Sequence, residues 1–242
     1  MRVSITIPAY DEIESLTSAV DEARDAVSRL SDPTDGEVLI VDDGSRDGTG
    51  ALADDLAARH GNVRVVHHAT NQGFSGAMMT CFREAAGDLV FLAPADGQIA
   101  MSELERFLAF GPSIDVVVGL RDRRADRLHR TFLSVGFHTL ARALFALPYR
   151  EFSSAFLFRR SLLAAMSFVS SPRGATLLPE VLARARSRGA AIATIVVTHL
   201  PRRAGRAKGG QLSVALRTLV DLARVAVIVR RQERALARRA TT

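Results

Sequence analysis

The sequence predicts an α/β fold: a mostly parallel sheet with helices on both faces, followed by amphipathic C-terminal helices. Three observations carry that prediction. Short apolar runs alternate with helix-period segments through the first half, the gaps between them are short, and several runs end in turns rich in Asp, Gly and Pro. Strand–helix alternation at this spacing needs right-handed crossovers, which put helices on either face of a parallel sheet. With 242 residues, 48% hydrophobic and 24% charged, the chain is long enough for one large core and too apolar for disorder.

The elements follow in order. Residues 3–7 (Val-Ser-Ile-Thr-Ile) read as a strand and 12–30 as an amphipathic helix. A fully apolar run at 38–41 is the second strand, with a helix over 48–60; 63–67 is the third, with a helix over 75–86. Residues 89–93 and 116–119 complete the series of strands. The second half changes character: 123–147 reads as one or two helices with a polar stripe of Arg123, Arg127, Arg130, Ser134, His138 and Arg142. A helix over 177–188 and a strand over 191–197 lead into a Gly/Arg-rich loop at 201–210. The last helix begins near 212 and carries Arg217, Asp221, Arg224 and Arg231 on one stripe. No linker divides the chain, so 1–210 is expected to be one domain and 211–242 an amphipathic helix lying on it or on a membrane surface.

Composition narrows the function. Lys and Arg total 32 against 26 Asp and Glu, a net charge of +6 that suits anionic partners. Aromatic–basic interleaving is missing, which argues against nucleic acid. Cys81 is the single cysteine, so no internal disulfide forms, and its neighbours Met78, Met79 and Phe82 mark it as a buried thiol. With no signal peptide and no clean apolar window of about 18 residues, the chain reads as cytoplasmic, touching a membrane only at its surface. The absence of a Walker A loop, a strand-linked GxGxxG, HExxH and CxxC removes support for NTPase, dehydrogenase and zinc chemistry.

In open parallel sheets ligands bind beyond the carboxyl ends of the strands. Here those ends carry Pro8, Tyr10, Asp11 and Glu12 after the first strand, Asp42, Asp43 and Asp47 after the second, and Asp96 and Gln98 after the fourth. A turn with a helix cap would use only one or two of these acids. Such a gathering of carboxylates can also hold a base, a ribose or a metal-bound diphosphate; Asp96 with Gln98 offers the hard oxygens that Mg²⁺ takes alongside substrate phosphates. The loop from His199 to Gly210 is basic and glycine-rich, and reads either as a solvated surface loop or as a phosphate clamp.

Taken in order, these pieces resemble the family 2 glycosyltransferases of GT-A (Rossmann-like) fold, in the dolichol-phosphate mannosyltransferase-like branch. Ile7-Pro8-Ala9-Tyr10-Asp11-Glu12 is similar to the family's "P-x-Y-N-E" opening, and Val41 to Thr49 to its "V-D-D-G-S-x-D-G-T" signature. Asn71-Gln72-Gly73 is similar to "N-x-G", and Ala95-Asp96-Gly97-Gln98 to the end of "D-A-D-x-Q". The resemblance implies inverting transfer of a sugar from a nucleotide-diphosphate sugar, in the lipid-using branch to a polyprenyl phosphate. It assigns Pro8, Tyr10, Glu12, Asp42, Asp43 and Ala95 to the nucleotide sugar, and Asp96 and Gln98 to Mg²⁺ or Mn²⁺. Arg121, Arg202 and Lys208 fall to the phosphates, and the catalytic set is Asp96 and Arg202. Glu151 joins that set as the base for a hydroxyl acceptor, since an ionised lipid phosphate needs none. Two departures matter: Pro94 stands where the family has its first metal-motif aspartate, leaving the metal to Asp96, Gln98, water and diphosphate, and Phe156 or Leu157 takes the place of the basic residue expected before Arg159-Arg160, the family aspartate just upstream being at best shifted to Glu151. Transfer to a soluble hydroxyl acceptor and a catalytically weak sugar-nucleotide binder are the alternatives, and homo-oligomers are compatible with either.

Overall fold

The computed structural model describes residues 1–30, 32, 36–93, 97–121, 128–149, 154–200 and 212–240, with backbone alone for 128–134, 212–217 and 234–240. The elements run β1 (Val3–Ala9), α1 (Leu16–Ser28), β2 (Gly36–Asp42), α2 (Thr49–Arg59), β3 (Val63–His67), α3 (Phe74–Glu84), β4 (Leu89–Leu92) and α4 (Glu103–Leu108). They continue with β5 (Val116–Arg121), α5 (Leu128–Phe145), β6 (Phe156–Arg159), α6 (Arg160–Ala164), α7 (Leu177–Ser187), β7 (Ile192–Val197) and α8 (Leu212–Ala240). The strands form one sheet in the order β3-β2-β1-β4-β6-β5-β7. Only β6 is antiparallel, wedged between β4 and β5, so β4, β5 and β7 all end at the edge where β1, β2 and β3 end.

Strand β2 shows why apolar runs rather than alternating ones encode this sheet. Val38 and Ile40 face one core together with Ile5, Ile7, Val20 and Leu56, under α1 and α2. Leu39 and Val41 face the other, with Phe156, Phe158, Val181 and Val225, under α3, α7 and α8. Because helices cover both faces of the central strands, β1, β2 and β4 have no solvent-facing register, whereas the edge strands β3 and β7 keep exposed positions. The buried polar residues of β1 are bonded: Ser4 donates to Glu37 at 2.5 Å and Thr6 to the Phe91 carbonyl at 3.2 Å. Burial alone would raise the Glu37 pKa, but hydrogen bonds from Ser4 and the Ala86 N–H, with Arg64 beside them, hold it below its ordinary value. Cys81 is fully buried, and that burial pushes its thiol up to about 12, as expected of an inert core cysteine.

Several boundaries differ from the sequence reading for local reasons. The first helix starts at Leu16, not 12, because the backbone N–H groups of Asp11, Glu12 and Ile13 are bonded sideways to Ser45, Thr49 and Asp47. Strand β6 and the short helices α4 and α6 carry too few residues to show a period. The stripe expected on 123–147 does not face solvent as a unit: His138 is buried, whereas Arg142 and Val135 are exposed. On α8 the stripe likewise splits, Asp221 being buried while Arg224 and Arg231 are exposed. Leu222, Val225, Ala226 and Val229 of α8 join the core, so this helix packs on the sheet domain through α5 and α7.

Candidate active site

The strand order reverses between β1 and β4, since β2 and β3 lie to one side of β1 and β4 to the other. A crevice opens at such a switch point, beyond the strand ends. Pro8 helps to open it. β1 pairs with β4 only as far as Thr6–Leu92, whereas it follows β2 to Ala9–Asp42. The Thr6 carbonyl accepts from Ala93 on the β4 side and the Ala9 carbonyl from Asp43 on the β2 side. By alternation Pro8 faces β4, beyond the last pair, where its missing N–H costs no ladder bond.

Beside the crevice, residues 10–13 and 44–49 are zipped together by side chains. The Asp11 N–H donates to the Ser45 hydroxyl (2.9 Å), the Glu12 N–H to Thr49 (2.9 Å) and the Ile13 N–H to Asp47 (3.2 Å). In return the Arg46 N–H donates to Asp11 (2.8 Å). Asp11 adopts a left-handed φ of 47°, a conformation that Asn and Asp tolerate better than other side chains. Gly44, at φ 70°, has no such latitude: a Cβ there would lie 2.8 Å from the backbone of Thr70 and Asn71. Burial opposes ionisation of Asp47, but its bonds from the Thr49 hydroxyl and from the Thr49 and Ile13 N–H groups lower its pKa.

The two adjacent aspartates behave differently. Asp42, last in β2 and in register with Ala9 and His67, accepts from the Ser45 N–H (3.1 Å) and from His67 Nδ1 (3.0 Å). Asp43 accepts from His68 Nδ1 (2.7 Å) and from the N–H groups of Gln72 (2.8 Å) and Gly73 (2.9 Å), which holds the 71–73 step in place. That step is tied in turn to the second half of the chain. The Gly76 N–H donates to the Pro172 carbonyl, Ser75 to the Gly174 carbonyl and Arg173 to the Asn71 carbonyl. Residues 169–171 are gripped by buried Glu180 of α7, which takes the Val169 and Ser170 N–H groups and Arg184, and by Asp221 of α8, which takes the Ser171 N–H.

On the far side of the crevice, Arg121 ends β5 opposite Val197 of β7. The Leu200 N–H donates to the Gln98 carbonyl at 2.8 Å, joining the segment after β4 to the segment after β7 although two strands, β6 and β5, separate them. Gly119 must be glycine here, because a Cβ would stand 2.9 Å from the Ala155 carbonyl and from Ser154. Thus the structure gathers Pro8, Tyr10, Glu12, Asp42 and Asp43 on one bank, and brings Gln98 and Arg121 to the same sheet edge. Ala95, Asp96, Glu151, Arg202 and Lys208 lie outside the described residues. As hard oxygen donors, Asp96 and Gln98 suit Mg²⁺ or Mn²⁺, which complete their shell with phosphate and water. Among the described residues no group of three or more His, Cys, Asp and Glu forms a metal cage. The sequence reading passed over His67, His68 and Arg173. His67 ends a strand at the ligand edge, the same signal that singled out Asp42.

A three-layer α/β sheet with carboxylates gathered beyond its switch point is the frame of a ligand-binding α/β protein. The profile of glycosyl transferase family 2 matches residues 4–166, and the chain belongs to that family. It is 30% identical over 221 residues to a polyprenol monophosphomannose synthase of Mycolicibacterium smegmatis, covering 86% of this chain and 80% of that protein. To an undecaprenyl-phosphate mannosyltransferase of Micrococcus luteus it is 40% identical over 124 residues, 50% of this chain and 49% of the relative. The chain therefore spans about half of that relative's length. In fold it is similar to glucosyl-3-phosphoglycerate synthase of Mycobacterium tuberculosis, solved with Mn²⁺, UDP-glucose and phosphoglyceric acid. The TM-score is 0.69 at 20% identity, over 93% of this chain and 79% of the other.

Proposed function

We propose that this chain is an inverting glycosyltransferase that moves a sugar from a nucleotide-diphosphate sugar to a polyprenyl phosphate. One observation carries the reading: the Gln98–Leu200 backbone bond ties the acidic turn after β4 to the start of the arginine-rich loop after β7. Carboxylates that address base, ribose and metal, and cations that address phosphates, then serve one diphosphate. Tyr10, Glu12 and Asp42 hold the nucleoside, with Pro8 shaping the crevice and Asp43 acting through the 71–73 step rather than by contact. Residues 1–210 form the transferase domain, and the helix of 211–242 completes it.

Glycosyl transfer builds negative charge on the departing diphosphate while the sugar becomes oxocarbenium-like. Arg121, Arg202 and Lys208 stabilise that charge as preorganised electrostatics. When Asp96 and Gln98 hold Mg²⁺ or Mn²⁺, the metal supplies Lewis-acid stabilisation of the same diphosphate. An ionised lipid phosphate attacks without a strong base.

The surface of α8 supports a lipid-borne acceptor. Leu219, Val220 and Val227 are exposed beside Arg224, Arg230 and Arg231, an apolar and cationic face suited to an anionic leaflet. No helix among the described residues is long and apolar enough to cross a membrane, so contact through these helices would be peripheral. Incubation with GDP-, UDP- and dTDP-sugars, Mg²⁺ or Mn²⁺ and either polyprenyl phosphate or soluble acceptors tests the reaction. Transfer confined to soluble hydroxyls, or donor binding with no transfer at all, would overturn it. Arg202→Ala should cut turnover by about 10²-fold or more while leaving the urea midpoint unchanged, as removal of one electrostatic stabiliser does. In flotation, vesicles containing phosphatidylglycerol should carry the protein at low salt and release it at high salt.

A further inference from the structure

The imidazole of His67 bridges two carboxylates. Nδ1 lies 3.0 Å from Asp42 Oδ2 and Nε2 lies 3.0 Å from Asp54 Oδ1 on α2. A carboxylate only accepts hydrogen bonds, so both ring nitrogens must donate, and a ring that donates twice is an imidazolium. The Asp42 carboxylate is otherwise closely confined. Oδ1 takes the Ser45 N–H, and a Cβ on Gly50 would stand 2.8 Å from Oδ2, so glycine in the first turn of α2 leaves room for this carboxylate. The charged groups bonded to the ring are Asp42 from β2 and Asp54 from α2, and Gly50 of α2, which lies against Cε1, is uncharged. The next histidine, His68, is engaged elsewhere, with Asp43 and Thr80.

A carboxylate near a diphosphate poses an electrostatic conflict: it is a good acceptor for the N–H and O–H groups of a base or ribose, but it repels the phosphates. A cation bonded behind it removes most of the repulsion while leaving its free lone pairs. We propose that His67, clamped as an imidazolium between Asp42 and Asp54, is the positioning residue that aims and charge-compensates Asp42 for the donor nucleotide. This rests on the nucleotide-binding reading of Asp42 given above. Donor affinity is then highest while His67 is protonated and falls as pH rises through its titration. The direction agrees with the raised pKa of the ring, caused first by its bond to Asp42, which outweighs partial burial, and then by Asp54.

The test is titration of GDP and UDP, each with Mg²⁺, into the full chain from pH 5.5 to 8.5. Wild type should lose affinity as pH rises, by up to roughly tenfold, the factor equivalent to one pKa unit of linkage. His67→Gln and Asp54→Asn should bind more weakly at pH 6 and show a flattened pH profile, raising the donor KM with kcat nearly unchanged. Asp54→Glu should restore much of the wild-type profile. Asp54 is exposed, so its variants remain informative if His67→Gln folds poorly. If Asp42→Asn weakens nucleotide binding but His67→Gln and Asp54→Asn keep both affinity and pH profile, the positioning role is overturned. If Asp42→Asn leaves affinity intact, the nucleotide-binding reading of Asp42 fails instead, and with it the basis of the proposal.

Discussion

Asp42 and Asp43 are neighbours in the chain, and each is bonded to a histidine 25 residues further on, yet the two pairs live in different surroundings. The side chains of Asp43 and His68 are 3% and 6% exposed, and His68 is held from its other side by Thr80 at 2.9 Å. Asp42 is almost as buried, but its partner His67 is 41% exposed and reaches out to a surface carboxylate. Consecutive residues leaving a strand point to opposite faces. One pair therefore falls against the α3 layer and becomes a sealed structural joint. The other falls at the start of α2 and stays open to water and protons. The same two residue types, one position apart, make a sealed joint in one case and a half-open bridge in the other, which is the recognition group of the proposed function.

The largest effect that separates the pairs should come from Asp43→Ala. It strands a buried histidine and two backbone N–H groups, and should cost about 3–5 kcal/mol in urea denaturation, as breaking a buried pair does. Asp42→Ala should cost less, about 1–2 kcal/mol, because His67 can rehydrate and chiefly the Ser45 N–H loses its partner. A stability loss for Asp42→Ala equal to that for Asp43→Ala would erase the distinction. The smallest effect is in pH. The folded-state pKa of His67 is raised, so its stabilisation is fully present below the unfolded value and disappears as pH rises through the folded one. With the ring this exposed, the change should stay below about 1 kcal/mol. Thermal melts of wild type and His67→Gln between pH 5.5 and 8.5 should converge at the upper end, and parallel melts would contradict the bridge.

A broader contrast separates the two halves of the sheet. In β1 to β4 the local pattern was sufficient: short apolar-rich runs and short crossovers marked each strand, and acidic turns marked the ligand ends of β1, β2 and β4. Past β4 it was not. β6 has four residues, Phe156 to Arg159, and its antiparallel direction is set by pairing with Leu89–Leu92 and Val116–Val118, contacts remote in sequence. His138 and Asp221 read as parts of polar stripes yet are buried, Asp221 because it satisfies the Ser171 N–H of a loop 50 residues away. Local periodicity cannot show which polar residue will find a partner inside.

Much of the site was legible for the same reason. Its acids follow strands in short range, so Pro8, Tyr10, Glu12, Asp42 and Asp43 could be marked from spacing and from the motifs they complete. Their division of labour could not. That Asp43 sits in a sealed joint and Asp42 in a half-open bridge depends on His67, His68, Thr80 and Asp54, which only the packing of α2 on β3 and of α3 on β1 and β2 brings into reach. By itself, then, the sequence determined the α/β class, the edge that carries the chemistry and the residue types available there, because strand period and turn chemistry act over a few residues. Tertiary structure alone decided the antiparallel insertion, the meeting of Gln98 with Leu200 and the partner of each buried charge. Those depend on contacts between distant segments, whose geometry is set only when both cores close.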